Sequence, residues 1–503
     1  MPQILPPLIA ALLETDRYPE PATCVELLET HASWLLLAGA FAYKIKKPVT
    51  LPFLDYGTLA KRQTCCEAEL RLNRRFAPDL YLQVVPITGT ATDPQIGGSG
   101  STIEFAVKMR RFAEAGRLER LCRRGQLHAK QMSALAATIA EFHEQAAVAP
   151  ANTHFGEPEQ VLAPALANFA ELATLLPGGE EQARLTALAE WTRREFARLA
   201  PRFAARKAAG RVRECHGDLH LGNLVLIDGR IRLFDCIEFS ADLRWIDVAS
   251  EIAFTFIDLL DHDQPGLAAW LVNEWLSCSG DYDAVQVLRF YAVYRALVRA
   301  KVAALRTAQT GSNGEHADNY LALAEHLAKP PPARLIITHG VAGCGKSRAA
   351  RRVLLHDSAA ATLRLRSDVE RKRLYDLDAA ARSGSPVDGG IYARNASVRT
   401  YRRLYELARE LLAANWSLIV DAAFLERAQR DSFRALAMQM GVAFFIVAPQ
   451  AGPAVLRARI RGRLRKGRDA SEATLAVLAQ QQARIEALGA DESGCLLASA
   501  EHS

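Results

Sequence analysis

A chain of 503 residues, half of them apolar, exceeds one ordinary core, and at roughly 150 residues per domain it should hold about two to four. The net charge is only +6, from 62 basic and 56 acidic residues that are interspersed, which argues against a basic arm or stripe for nucleic acid. Nine cysteines without a Cys-x-x-Cys pair argue against a disulfide framework or zinc site and fit a reducing, cytoplasmic setting. No basic segment precedes an apolar run at the N-terminus, and residues 34–43 are too short an apolar stretch to cross a bilayer, so a soluble protein with no membrane partner is expected.

Taken in chain order, residues 33–46, 80–88 and 103–110 read as strands, and residues 56–76 as one strongly helical segment. Residues 90–101, rich in Gly, Thr and Ser, read as a hairpin or loop. Residues 128–147, 160–208 and 242–308 are rich in Ala, Leu, Glu and Arg at helical spacing. The expectation is a sheet-containing N-lobe over about 1–110 and a helical C-lobe over about 111–328.

Between those helices lies the stretch His216-Gly-Asp-Leu-His-Leu-Gly-Asn223, followed by Phe234-Asp235. Residues 224–227 and 229–234 form a predicted hairpin about an Asp228-Gly229 turn, which returns Asp235 to the neighbourhood of Asp218 and Asn223. Two carboxylates and an amide brought together in this way suit phosphoryl transfer, which asks a protein to hold metal ions and orient an attacking hydroxyl. His216 and His220 read as loop-stabilising, Cys215 and Cys236 as packing residues, and Glu238, Arg244 and Asp247 as an ion-pair set behind the loop. The acidic run Glu251, Asp258, Asp261 and Asp263 reads as a solvated helix end, or as the wall of a pocket for a cationic acceptor.

Three prolines at 330–332 stop the helical pattern, so residues 329–332 are expected to link two domains. A buried strand over 333–339 then runs into Gly340-Val-Ala-Gly-Cys-Gly-Lys-Ser347, a complete P-loop followed by a helical stretch. In such a loop Gly340, Gly343, Cys344 and Gly345 present backbone amides to phosphate, Lys346 reaches the β and γ phosphates, and Ser347 ligates magnesium. Strand-like runs end at Asp368, after residues 360–366, and at Asp421, after residues 416–420; a further strand covers 441–447. At those strand ends Asp368 faces the acceptor crevice and Asp421 the metal. The arginine run beginning at Leu456 places Arg459 and Arg463 on one helical face, while Arg457, Arg461, Arg465 and Arg468 read as a solvated face. Arg371-Lys-Arg373 and Tyr392-Ala-Arg394 read as acceptor-touching segments or as helix surface.

The first motif set resembles the aminoglycoside phosphotransferase family, a protein-kinase-like fold. The resemblance implies Asp218 as catalytic base and Asn223 and Asp235 as magnesium ligands. It also implies a strand lysine paired with a helix glutamate, for which Lys44 and Glu69 stand first, with Lys46 and Glu67 as alternates. The second set resembles the small P-loop kinases that include zeta toxins, chloramphenicol phosphotransferase and gluconate kinase. That implies Asp368 as base, Asp421 on the metal side, and Arg459 and Arg463 as lid residues. The expected fold is an α/β multidomain chain: a two-lobed, protein-kinase-like α+β domain over 1–328, then a P-loop α/β domain with a parallel sheet over 333–503. The expected function is ATP- and magnesium-dependent phosphoryl transfer by both domains to small-molecule hydroxyls, with no nucleic-acid partner. The alternatives are a P-loop domain that acts as an ATP-dependent switch, and a first domain that is only a nucleotide-binding scaffold.

Overall fold

The computed structural model describes residues 5–51, 54–310, 315–379, 381–385, 389–466 and 470–497. Contacts divide the chain into two compact units, residues 1–127, 141–164 and 200–258 in the first, and residues 128–140, 165–199 and 259–503 in the second. The helix Glu315–Ala328 ends just before the prolines and the strand Arg334–Thr338 begins just after them. The helices on both sides of this break nevertheless pack in the same unit.

In the first unit an antiparallel sheet runs in the order Val25–Glu29, Ser33–Ala38, Phe41–Lys46, Thr102–Arg110, Tyr81–Gly89, Pro94–Ile96. Residues 33–46, expected as one strand-like run, form two strands that turn at Gly39, whose φ of +58° is open to glycine at little cost. Alternation then sorts the side chains. Trp34, Leu36, Tyr43 and Ile45 enter one core with Ile9, Leu12 and Ile87, whereas Leu37, Ala42, Val107 and Met109 enter another against Cys66 of the helix Leu59–Asn73. Lys44 and Lys46, two residues apart, therefore project together toward that helix. The hairpin Leu224–Ile227 with Arg230–Leu233 forms as its sequence predicts, with Asp228 and Gly229 both at positive φ, the turn that matches strand twist.

In the second unit four parallel strands lie in the order Thr362–Arg366, Ser417–Asp421, Arg334–Thr338, Ala443–Val447. Central strands buried on both faces explain their continuous apolar runs. The edge strand Thr362–Arg366 leans on the helix Pro265–Ser279: Asn273 Nδ2 donates to Thr362 O (3.1 Å) and Arg364 N donates to Asn273 Oδ1 (2.5 Å). One amide side chain thus takes the place of a neighbouring strand. The same helix approaches the helix Lys346–Leu355 so closely at Gly266 that a Cβ there would collide with Leu355 O. Tyr282 OH donates to Glu370 Oε1 (2.9 Å) and Trp416 Nε1 to Val285 O (3.1 Å), both buried. Among the described residues no helix is long and apolar enough to cross a membrane, and all nine cysteines are free thiols.

Candidate active sites

The first site gathers around Lys44. Its ammonium lies 2.9 Å from Glu69 Oε1 and also pairs with Asp235. Lys46, fully buried, donates to the other oxygen of Glu69 (2.7 Å) and pairs with Glu238, which also takes the Tyr56 hydroxyl. Burial opposes the charge on both lysines, but their carboxylate partners override it and hold both well above the ordinary lysine range. Burial likewise would raise the Asp235 carboxyl, yet Lys44 beside it holds it below the usual carboxylate range, so Asp235 is an anion. Glu67 instead accepts from Gln63 on the exposed face of the helix.

Asp218 and Asn223 meet directly: Asn223 Nδ2 donates to Asp218 Oδ2 (3.0 Å) and to its backbone oxygen (2.9 Å), which leaves the Asn223 carbonyl oxygen for a cation. His220 Nε2 lies 3.3 Å from Asp218 Oδ2, and its Nδ1 accepts from Gly222 N (3.0 Å). Asp235 sits at φ +64°, a costly conformation for a residue with a side chain. Two bonds hold the turn: Asp235 N donates to Tyr81 OH (2.9 Å), and Cys236 N to Asn73 Oδ1 (3.0 Å).

The acidic run after the loop is neither a solvated helix end nor a pocket wall at its first two positions. Glu251, fully buried, accepts from the backbone amides of His216 (2.6 Å) and Gly217 (2.9 Å), and Asp258 accepts from Leu221 N (2.8 Å). These carboxylates lie seven residues apart, two turns of the helix Val248–Asp261, so they face the loop together. That spacing was the signal in the sequence. His216 donates from Nε2 to Phe234 O (2.8 Å) and accepts at Nδ1 from Asp218 N (3.3 Å), which defines a neutral ring; burial lowers its pKa accordingly. Behind the loop Asp247 pairs with Arg206 (2.7 Å), and Arg244 with Glu214 (3.2 Å).

The second site is a cavity of about 350 Å³ lined by Gly343, Gly345, Lys346, Ser347, Asp368, Arg371, Asp421, Arg459 and Arg463 among others. Gly340, Gly343 and Gly345 all take positive φ, and Lys346 Nζ folds back onto Gly340 O (2.7 Å) and Val341 O (2.9 Å). Cys344 packs inward against Leu456, Ile460 and Leu478. Asp421 is buried against Arg364, 3.2 Å from its Nε; burial would raise its carboxyl, but Arg364 and the Ser347 hydroxyl hold it low. Arg459 Nη1 donates to Gly343 O and Cys344 O, each at 3.1 Å, and Arg463 Nη2 to Ala473 O at 3.3 Å. Arg457, Arg461 and Arg465 are exposed, and Arg468 lies outside the described residues. Of the basic run 371–373, Arg371 lines the cavity, Lys372 is buried on Ala379 O and Ala381 O, and Arg373 pairs with Glu370. Tyr392 also lines the cavity, while Arg394 is exposed.

Residues 62–288 match a family described as "Phosphotransferase enzyme family", and residues 335–488 one described as "AAA domain". An uncharacterized protein of Mycobacterium tuberculosis is 31% identical over 467 residues, 91% of this chain and 90% of its own length, and one of Mycobacterium bovis matches equally. The chain belongs to their family. It is a kinase-type phosphotransferase that joins a protein-kinase-like first part to a P-loop second part. Solved structures similar to this kinase include a choline/ethanolamine kinase family protein from Mesorhizobium loti (13% identity, 62% of this chain and 90% of that one, TM-score 0.40). A sugar kinase from a Janibacter species is 25% identical over 33% of this chain and 85% of its own, with a TM-score of 0.24.

Proposed function

We propose that both parts are active, each transferring the γ-phosphoryl group of ATP to a small-molecule hydroxyl with magnesium. The observation that carries this reading is Lys44, which touches Glu69 of the helix Leu59–Asn73 and Asp235 of the metal loop at once. In this reading Lys44 holds the α and β phosphates, and Asp218, positioned by Asn223 and His220, takes the acceptor's proton. Asn223 and Asp235 offer a carbonyl and a carboxylate oxygen, and Ser347 and Asp421 a hydroxyl and a carboxylate. These are hard oxygen donors of the kind magnesium prefers. Bound there, the metal neutralises charge that develops on the phosphates. In the second part Lys346 contacts phosphate, Asp368 serves as base, and Arg459 and Arg463 close over the transferring group.

ADP release by the whole chain, measured with and without a panel of hydroxyl compounds, tests the proposal. Acceptor-dependent release should split into a component lost in Asp218→Asn and one lost in Asp368→Asn. Release that no acceptor stimulates and neither substitution alters would defeat it. One observation favours a second reading, in which the P-loop part regulates the first: the helix Ser367–Arg373, which carries Asp368, is tied through Glu370 to Tyr282 and through Arg373 to Ser277 O. Loss of Asp218-dependent turnover in Lys346→Ala would support that reading.

A further inference from the structure

We propose that Gln481 is a catalytic residue of the P-loop part: the loop pins its side-chain oxygen, and its amide nitrogen donates to the terminal phosphoryl group of ATP. This rests on the reading of that cavity as a kinase site.

Gln481 lies on the helix Leu475–Arg484 and lines the cavity together with Lys346, Arg459 and Arg463. Thr474 caps the start of that helix by accepting from Val477 N (3.3 Å), and Leu478 docks it on Ala342, Cys344, Leu456 and Ile460. Three residues on, the same helical face brings Gln481 to the loop, where its Oε1 accepts from Ala342 N at 2.6 Å. A backbone N–H can be met only by an acceptor, so this bond fixes the orientation of the side-chain amide and turns Nε2 away from the loop. Nε2 makes no bond among the described residues and is not a sealed atom, so its two hydrogens are open to the cavity.

The same peptide unit ties Gln481 to the γ end of the nucleotide. Its carbonyl, Val341 O, accepts from Lys346 Nζ at 2.9 Å, and Lys346 is the side chain that reaches the β and γ phosphates. One rigid peptide plane thus joins the two donors, and both line the cavity. Transfer breaks the bond from the γ phosphorus to the bridging oxygen of ADP, forms one to the acceptor oxygen and passes the hydroxyl proton to Asp368, with charge spread over the three γ oxygens. Lys346, Arg459 and Arg463 supply positive charge there. Gln481 adds a neutral donor, already oriented, that needs no reorganisation as the charge moves.

The test uses the whole chain with Lys44→Met to weaken the first site, and titrates it with magnesium ADP and with the magnesium complex of the non-hydrolysable ATP analogue AMP-PNP. Binding that Lys346→Ala removes belongs to the P-loop. Gln481→Leu should weaken that component by about 10- to 100-fold for AMP-PNP and leave it within about twofold for ADP, which has no γ-phosphate. Gln481→Glu keeps an acceptor for Ala342 N but sets a carboxylate against the phosphate, so it should weaken AMP-PNP at least as much. Wild-type AMP-PNP binding in Gln481→Glu overturns the inference while the kinase reading stands, as do equal losses for AMP-PNP and ADP, because either result reduces Gln481 to a prop for the loop. No Lys346-dependent binding in the parent overturns both. Glu matches Gln in size and retains the loop contact, so the inference stays testable if the Leu variant fails to fold.

Discussion

Glu69 accepts from two lysines at once, Lys44 at 2.9 Å and Lys46 at 2.7 Å. The pair differs in surroundings: Lys46 is fully buried with Glu238 as its second partner, whereas Lys44 retains some exposure and reaches Asp235. Lys46→Met should therefore act on stability, because removing one member of a buried pair strands the other, at about 3–5 kcal/mol. Lys44→Met should act on catalysis, lowering first-site kcat/KM for ATP by on the order of 100-fold or more. Thermal unfolding and ATP kinetics on both variants check this; equal effects in both assays would contradict it.

Glu251 spends both oxygens on the amides of His216 and Gly217. Glu251→Gln turns an NH₂ group toward one of those donors, at a cost of about 1–3 kcal/mol. First-site turnover should fall while turnover that depends on Asp368 is kept. A parallel loss at both sites would mean that the substitution acts globally.

His216 is a neutral ring with both nitrogens committed, and its pKa lies below the ordinary 6.5. The unfolded chain then binds more protons than the folded one as pH drops below 6.5, so the stability from this ring is complete above that value and is lost as pH falls through the folded pKa. Chemical denaturation at a series of pH values should show the decline, with a shallower slope in His216→Asn. His339, also lowered chiefly by burial, leaves part of the slope in place. An unchanged slope in the variant would count against the neutral assignment.

Two carboxylates at the ends of parallel strands should respond differently. Asp421 is locked to the buried Arg364, so Asp421→Asn leaves an uncompensated charge and should lower stability by about 3–5 kcal/mol as well as activity. Asp368 has no ion-pair partner among the described residues and faces the cavity. Asp368→Asn should leave the melting temperature within a few degrees of wild type while lowering second-site kcat by about 100- to 10,000-fold. Activity retained in Asp368→Asn would remove it from the chemistry.

Most strands of both sheets and the Asp228-Gly229 hairpin were legible because alternation, continuous apolar runs and turn residues are local signals; Val25–Glu29 was not read as a strand, and Pro94–Ile96 fell within the stretch read as a hairpin or loop. The P-loop was legible because its glycines and lysine are contiguous. Glu251 and Asp258 were misread because their seven-residue spacing puts them on one helical face, but a carboxylate on that face looks the same whether it meets water or a loop amide, and packing decides between the two. Asn273 was invisible for the same reason: its role depends on a strand edge about ninety residues away. The proline break at 330–332 was visible, but the buried bonds of Tyr282, Trp416 and Asn273 across it were not, since each is made by a side chain that belongs to no motif.

Those cross-links bear on how the protein is handled. A fragment cut at the prolines would lose Asn273, bare the amides and carbonyls of Thr362–Arg366, and leave the Glu370 carboxylate without its tyrosine. Such an uncovered ribbon recruits other strands, so the excised C-terminal piece should self-associate, and dissection by truncation would report on aggregation rather than on enzymology. Point substitutions in the intact polypeptide are the cleaner instrument.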